Sequence, residues 1–248
     1  FPDLFVYVQY TISDITGIIQ ADTRLVQDTV ITQLLLDSRK IIVPAHSLFF
    51  ALEGFRRNGH DYIPALYRNG VRSFVISQET DYSAYPEANF LRVSDTLEAL
   101  QQLAAFHRSQ FQIPVIGITG SNGKTIVKEW LYQLLQPEHT IVRSPRSYNS
   151  QIGVPLSLWL MNEKHTLAIF EAGISRPGEM ERLEHIIRPT IGVFTNIGDA
   201  HSEGFPSREA KEKEKRILFR EATEVPALRV ESVTRNLQSC LIRAADPK

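Results

Sequence analysis

The chain has little that would set it apart from ordinary globular proteins. It holds one cysteine, Cys240, among 248 residues. That excludes an internal disulfide framework and fits a reducing cytoplasm, so a cytoplasmic location is expected. No sign of charge dominates: 27 Lys and Arg stand against 28 Asp and Glu, a formal net charge of −1. Bulk electrostatics therefore gives no case for nucleic acid or an anionic membrane as the main partner. No stretch approaches the roughly 18 consecutive apolar residues of a membrane span. The opening FPDLFVYVQYTISD has an apolar patch but no basic leading region and no small-residue cleavage site, so it does not read as a signal peptide. It also lacks an initiating Met. There is no internal repeat and no low-complexity tract. An anionic ligand would have to be held by a local cluster of donors.

Hydrophobic residues make up 43% and charged residues 22% of the chain, an ordinary globular balance. At roughly 100–200 residues per domain, the length predicts one large or two modest domains. TISDITGIIQ at 11–20 reads as a short amphipathic helix with Ser13 as its N-cap. VITQLLLDSRK is a strand running into a polar turn, and HSLFFALEG a second strand ended by Gly54. DYIPALYRNG reads as a helix closed by Asn69-Gly70. VRSFVIS and NFLRVSD are further strands. TLEALQQLAAFHRSQF has apolar residues at 97, 100, 103, 104 and 106, a helical period. QIPVIGIT is then a bare apolar strand, followed by the helix KTIVKEWLYQLL. The rhythm repeats as strand LAIFEAG, helix RPGEMERLEHII and strand TIGVFTNIG. Strands alternating with helices predict an α/β architecture, and continuous apolar strands predict a parallel sheet covered on both faces. Residues 1–110 and 111–222 are the expected domains, and 223–248 a tail without a clean strand–turn–helix pattern.

The segment GITGSNGKT at 117–125 has the strand–turn–helix setting of a phosphate-binding loop. Its glycines do not fit the usual G-x-x-x-x-G-K-[ST] spacing, because Ile118 stands where the first glycine should be. Backbone N–H groups at a helix N-terminus favour an anion, and glycines let the backbone approach it. Thr119, Gly120, Ser121, Asn122, Gly123, Lys124 and Thr125 are the candidate nucleotide contacts. Lys124 would reach the outer phosphates and the Thr125 hydroxyl would ligate Mg²⁺. Glu171 closes an apolar strand, where a carboxylate would face a ligand crevice and suit Mg²⁺; a plain surface glutamate is the alternative. His201 follows a strand by a short loop and is structural or catalytic. Asn196 is a turn residue or orients phosphate. REAKEKEKRILFREA has charges at helical spacings and reads most simply as a solvated helix face.

Several segments together resemble one family, the Mur ligases with their folylpolyglutamate synthetase relatives. G-x-T-G-x-x-G-K-[ST] is similar to their shortened phosphate loop. YNSQIGVPLSL at 148–158, FEAGISRPGEMERL at 170–183 and TNIGDAHSEGF at 195–205 resemble three further family motifs in order, with Ser150 and Gln151 replacing an Asn and a Glu. LLLDSRKIIVPAHSLFFALEGFRRNGHDYI at 34–63 is similar to the family's uridine-nucleotide-binding N-terminal domain, with Asn58 replacing an Asp.

The resemblance implies an ATP-dependent ligase. The branch with EAGISRPGEM-like residues joins D-alanyl-D-alanine to UDP-N-acetylmuramoyl-tripeptide through an acyl phosphate, in peptidoglycan precursor synthesis. The branch adding the third peptide residue is the nearest rival; a non-catalytic uridine-nucleotide-binding fragment and an unrelated nucleotide-driven ATPase are the others. By resemblance, Ser38 and Arg39 contact the uridine nucleotide and Asn149 contacts substrate. ATP and two Mg²⁺ ions are implied, with Thr125 and Glu171 on one ion and His201 and Lys215 on the other. Lys215, about fourteen residues past His201, is the implied carbamylation site, with Lys213 as runner-up. The expected architecture is an N-terminal α/β domain followed by an incomplete parallel-sheet ATP-binding domain. The family's C-terminal domain is missing, so impaired ligation is expected of the chain as given.

Overall fold

The computed structural model describes residues 9–54, 57–198, 204–220, 222 and 228–229. The described residues form two compact units, divided between Phe106 and His107.

In the first unit, β1 (Tyr10–Thr11) leads into α1 (Ile12–Ile19). Thr11, not Ser13, caps this helix: its hydroxyl accepts from the Asp14 amide, and the Asp14 carboxylate accepts from the Thr11 amide in return. That reciprocal box satisfies two otherwise unpaired donors, which Ser13, already the second residue of the helix, could not do. β2 (Asp22–Arg24), β3 (Val30–Ile31), β4 (Gln33–Leu35), β5 (Ser47–Phe50), α2 (Ile63–Arg68), β6 (Ser73–Ile76) and β7 (Asn89–Arg92) follow. The sheet order is β2-β7-β6-β5-β4. β4 to β7 run parallel, and β2 joins antiparallel at one edge. The apolar run at 30–35 is not one strand. β3 pairs antiparallel with β1, while β4 pairs parallel with β5, so a single run serves two sheets. The core is aromatic. Phe49, Phe74 and Phe90 are buried, and Phe74 stacks on Phe90 at 5.4 Å between ring centres.

α3 (Thr96–Ser109) precedes β8 (Val115–Thr119), α4 (Lys124–Leu135), β9 (Ile141–Arg143), α5 (Gly153–Leu158), β10 (Leu167–Glu171), α6 (Glu179–Ile187), β11 (Ile191–Phe194), α7 (Arg208–Arg216) and β12 (Leu228–Arg229). The second sheet has the order β12-β11-β8-β10-β9 and every pair in it is parallel. Its central strands β8 and β10 are buried on both faces, as their apolar sequences predict. Ile116, Ile118, Ile169 and Val127 fill the core against Leu131 and Leu135 of α4. The chain leaves β8 towards β9 and β10, then returns to the other side of β8 as β11. Such a reversal opens a crevice at the carboxyl ends of the strands.

Two charged or polar side chains at the end of α3 are built into the second unit. The buried Arg108 guanidinium donates to the carbonyls of Ile187, Arg188 and Phe111. Two of those close α6, whose last carbonyls have no partners within the helix. His107 is 1% exposed, packs on Trp159 and Phe111, and has Nε2 3.1 Å from the Met161 carbonyl. Among the described residues no helix is long and apolar enough to cross a membrane.

Burial pushes the His107 pKa down to about 4, against a smaller upward pull from the Met161 carbonyl. The unfolded chain takes up the proton near pH 6.5, whereas the folded chain takes it up only near 4. Stability is therefore full above pH 6.5 and falls by up to about 3 kcal/mol as pH drops to 4. Urea unfolding followed by Trp fluorescence should show that acid-side slope, and His107→Gln should flatten it.

Candidate functional site

The site lies where β8, β10 and β11 end. Gly117 belongs to the strand, not the loop: it pairs with Phe170 and Gly192, and a Cβ there would meet Pro189 at 2.8 Å. The candidate phosphate loop is the turn from Gly120 to Gly123. Gly120 has φ 143° and Gly123 φ 80°, and Gly123 opens α4 as its N-cap. The unusual spacing thus comes from one glycine required for sheet packing and two required for the turn.

The segment after β11 straps this turn in place. The amide of Ser121 donates to the Asn196 carbonyl, and the amide of Asn122 donates to Asn196 Oδ1 at 3.0 Å. The Thr195 hydroxyl donates to the Asn122 carbonyl at 2.6 Å. The Ser121 hydroxyl and the Gly198 backbone bond each other in both directions. Thr119 is fully buried and its hydroxyl donates to the Ala172 carbonyl, so that side chain is taken up inside the sheet.

Lysines close the arrangement. Lys124 Nζ donates to the Gly120 carbonyl at 2.9 Å and lies 3.4 Å from that of Ser121. Lys215 Nζ donates to the same Gly120 carbonyl at 3.1 Å, and Lys211 Nζ to the Gly198 carbonyl at 2.6 Å. Lys211 and Lys215 are 1% and 2% exposed, which overturns the reading of α7 as a purely solvated helix. They stand four apart, so they share one helix face, and Lys213, the runner-up, is on the exposed side. Glu214 adds a third anchor by accepting from the amides of Gly178 and Met180 at the start of α6. Burial lowers the Lys215 pKa to about 8, assisted by the cations Lys124 and Lys211. Burial also lowers that of Lys124, with Glu171 opposing and Lys211 adding to the fall.

Glu171 ends β10 fully buried. Its Oε2 accepts from the Thr125 hydroxyl at 3.1 Å and from Asn149 Nδ2 at 3.4 Å. Its Oε1 accepts no hydrogen bond, although Lys128 Nζ is 3.0 Å away. Among the described residues no group of three or more His, Cys, Asp or Glu is placed to hold a metal ion. A hard cation at Thr125 and Glu171 fits these oxygens, with its other ligands coming from phosphate or water. His201 lies outside the described residues. Ser38 and Arg39 lie in the first unit. Arg39 is exposed, and its guanidinium holds Asp37 through two 2.8 Å bonds. Those bonds keep the Asp37 carboxyl well below the usual range.

The profile of the Mur ligase middle domain matches residues 118–231, and that of the Mur ligase family catalytic domain matches residues 30–108. The chain belongs to the Mur ligase family. The UDP-N-acetylmuramoyl-tripeptide--D-alanyl-D-alanine ligase of Bacillus subtilis is 35% identical over 183 residues, which are 74% of this chain and 39% of that protein. The crystal structure of MurF from Acinetobacter baumannii matches with TM-score 0.82 and 28% identity, over 91% of this chain and 50% of that one. MurF ligase from Thermotoga maritima, solved in complex with ADP, matches with TM-score 0.69 and 30% identity, over 79% and 44%. The chain therefore spans about two fifths of that curated relative's length.

Three residues of this candidate site in a Mur ligase chain were not legible as such in the sequence: Thr195, Lys128 and Lys211. Two left a signal in helical spacing. Lys128 stands one turn after Lys124, and Lys211 one turn before Lys215. The two loop glycines should respond differently to substitution. A Cβ on Gly120 would collide with Thr195 Oγ1, whereas nothing lies within 4 Å of one on Gly123. Gly123→Ala should cost about 1–2 kcal/mol for the left-handed backbone alone. Gly120→Ala should cost more and break the Thr195 strap, a ranking that thermal melting of the two variants would check.

Proposed function

We propose that the chain carries the uridine-nucleotide-binding and ATP-binding parts of a ligase that joins D-alanyl-D-alanine to UDP-N-acetylmuramoyl-tripeptide in peptidoglycan precursor synthesis. The observation that carries this reading is the phosphate loop bound on one side by Lys124 and Lys215 and facing the Thr125–Glu171 pair on the other. The family match and the MurF-named relatives support the choice of substrates. The first unit, with Ser38 and Arg39 in the turn after β4, is assigned to the uridine nucleotide. Arg39 would exchange Asp37 for a diphosphate, which its fork geometry suits.

In the reaction, a tripeptide carboxylate oxygen attacks the γ-phosphorus of ATP and ADP leaves. The amine of D-alanyl-D-alanine then attacks the acyl phosphate carbonyl through a tetrahedral intermediate, and phosphate departs. Carboxylate and γ-phosphate are both anionic, so the chain's work is positioning and charge neutralisation. Lys124 turns from the Gly120 carbonyl to the phosphates. The N-terminus of α4 faces them, while Asn196, by accepting from the Ser121 and Asn122 amides, and Thr195 keep the turn rigid. Mg²⁺ at Thr125 and Glu171 would supply Lewis-acid neutralisation of the phosphate oxygens. Asn149 keeps the carboxylate of Glu171 oriented. His201 and a carbamylated Lys215 are assigned to a second ion.

The environment of Lys215 supports carbamylation. Carbon dioxide adds only to a neutral amine, and a pKa near 8 leaves a sizeable neutral fraction at pH 7–8. The carbamate so formed is an anion among the cations Lys124 and Lys211, which favours it. Carbon-13 NMR with labelled bicarbonate should show a carbamate resonance that grows from pH 7 to 9 as the amine loses its proton. Lys215→Arg should lack it, and a wild-type spectrum without it at pH 9 overturns the assignment.

Calorimetry tests the larger reading. The chain should bind UDP-N-acetylmuramoyl-tripeptide through the first unit and Mg-ADP through the second. Lys124→Ala should weaken Mg-ADP binding by at least about tenfold and leave the uridine nucleotide untouched. Phosphate release that needs ATP, Mg²⁺, the tripeptide nucleotide and D-alanyl-D-alanine together would establish ligation. ATP hydrolysis indifferent to the uridine nucleotide, with no binding of the latter, would overturn the reading in favour of a different ATPase.

A further inference from the structure

Lys128 takes no part in the proposed reaction, yet its ammonium is fully buried. It stands on α4, one turn beyond Lys124 and Thr125. Its Nζ donates to the carbonyl of Ser144 at 2.8 Å and to that of Arg146. It lies 3.0 Å from Glu171 Oε1 and 3.3 Å from Glu129 Oε1. Both Lys128 and Glu171 have side chains at 0% exposure.

A pair this deep is a poor device for stability. The desolvation of two charges offsets much of their attraction, and apolar residues of similar volume often serve as well. Its geometry points elsewhere. Glu171 Oε2 is occupied by Thr125 and Asn149, whereas Oε1 is buried and accepts no hydrogen bond. The ammonium directs two of its three protons at the carbonyls of Ser144 and Arg146 and stands 3.0 Å from Oε1, to which it offers its charge. Oε1 thus keeps a lone pair for a metal while its negative charge is already cancelled.

We propose that Lys128 is a positioning residue that makes metal capture depend on nucleotide. With the ammonium in place, Glu171 alone does not hold a divalent cation. The ion is held only when the phosphates of a bound nucleotide add negative charge on its other side. The inference rests on the assignment of Glu171 and Thr125 to a metal ion. It gives Lys128 a role distinct from that of Lys124, which faces loop carbonyls and the phosphates.

Mn²⁺ serves as the probe, with free Mn²⁺ measured by electron paramagnetic resonance as the 248-residue chain is titrated in with or without ADP. The wild-type chain should bind Mn²⁺ far more tightly with ADP than without. Lys128→Met removes the charge, and Lys128→Gln removes it while keeping donors for the two carbonyls. Both should bind Mn²⁺ without ADP at least about tenfold more tightly than wild type, Lys128→Arg should behave as wild type, and adding Glu171→Gln should abolish the gain. Neutral variants that fold, as judged by circular dichroism, but keep wild-type Mn²⁺ affinity overturn the inference. If neither folds, the wild-type chain still decides: equal Mn²⁺ affinity with and without ADP overturns it. Glu171→Gln that leaves Mn²⁺ binding with ADP unchanged overturns the ligand assignment itself, and the role of Lys128 with it.

Discussion

A carboxylate at the end of a buried strand must be compensated, and the compensation of Glu171 organises the second unit. Burial would raise its energy steeply without partners. The partners come from three places in the sequence: Thr125 and Lys128 on α4, and Asn149 before α5. Meeting at one carboxylate fixes the helix that carries the phosphate loop against the strand that carries the acid. The Lys128 bonds to Ser144 and Arg146 extend the same constraint to the segment after β9. Gly173, whose amide bonds the Asn149 carbonyl, leaves too little room for a side chain beside Asn149.

Around this centre, positive charge gathers in a chain that is electrically almost neutral as a whole. Lys128, Lys211 and Lys215 are buried, and Lys124 is half-buried. Lys124, Lys211 and Lys215 donate to backbone carbonyls of the loop and its strap, and Lys128 donates to carbonyls of the segment after β9 and has two carboxylates at ion-pair distance. Carbonyl dipoles only partly replace the water that these ammonium groups give up. The downward shifts of Lys124 and Lys215 express that deficit. Anionic phosphates arriving at the loop would relieve it, so the cost of burying the lysines becomes affinity for the anion.

The sequence made most of the second unit legible because its signals are local. β8, β10 and β11 are unbroken apolar runs bounded by turn residues, and α4 begins at the lysine after the glycine turn. The first unit was less transparent. Its run at 30–35 divides between an antiparallel and a parallel partner, which no periodicity within the run announces. β2 is an edge strand of three polar residues, DTR, with no apolar alternation to be seen. The cap of α1 fell to Thr11 because a capping box needs a reciprocal acid three residues on, and Asp14 stands there.

Residue types and spacing alone established the α/β class, the strand–loop–helix that could cradle phosphate, and the family resemblance carried by its motifs. They could not say how charge is divided among the lysines. Lys211, Lys213 and Lys215 are equivalent as letters in a charged helix. Only packing turns two of them inward, because residues four apart share the face that meets the loop while the one between them faces solvent. They could not say that Lys128 lies on Glu171 either, since 43 positions separate the two along the chain. That contact exists because α4 lies against β10 and the desolvated carboxylate requires a cation, and both conditions arise only when the sheet has formed.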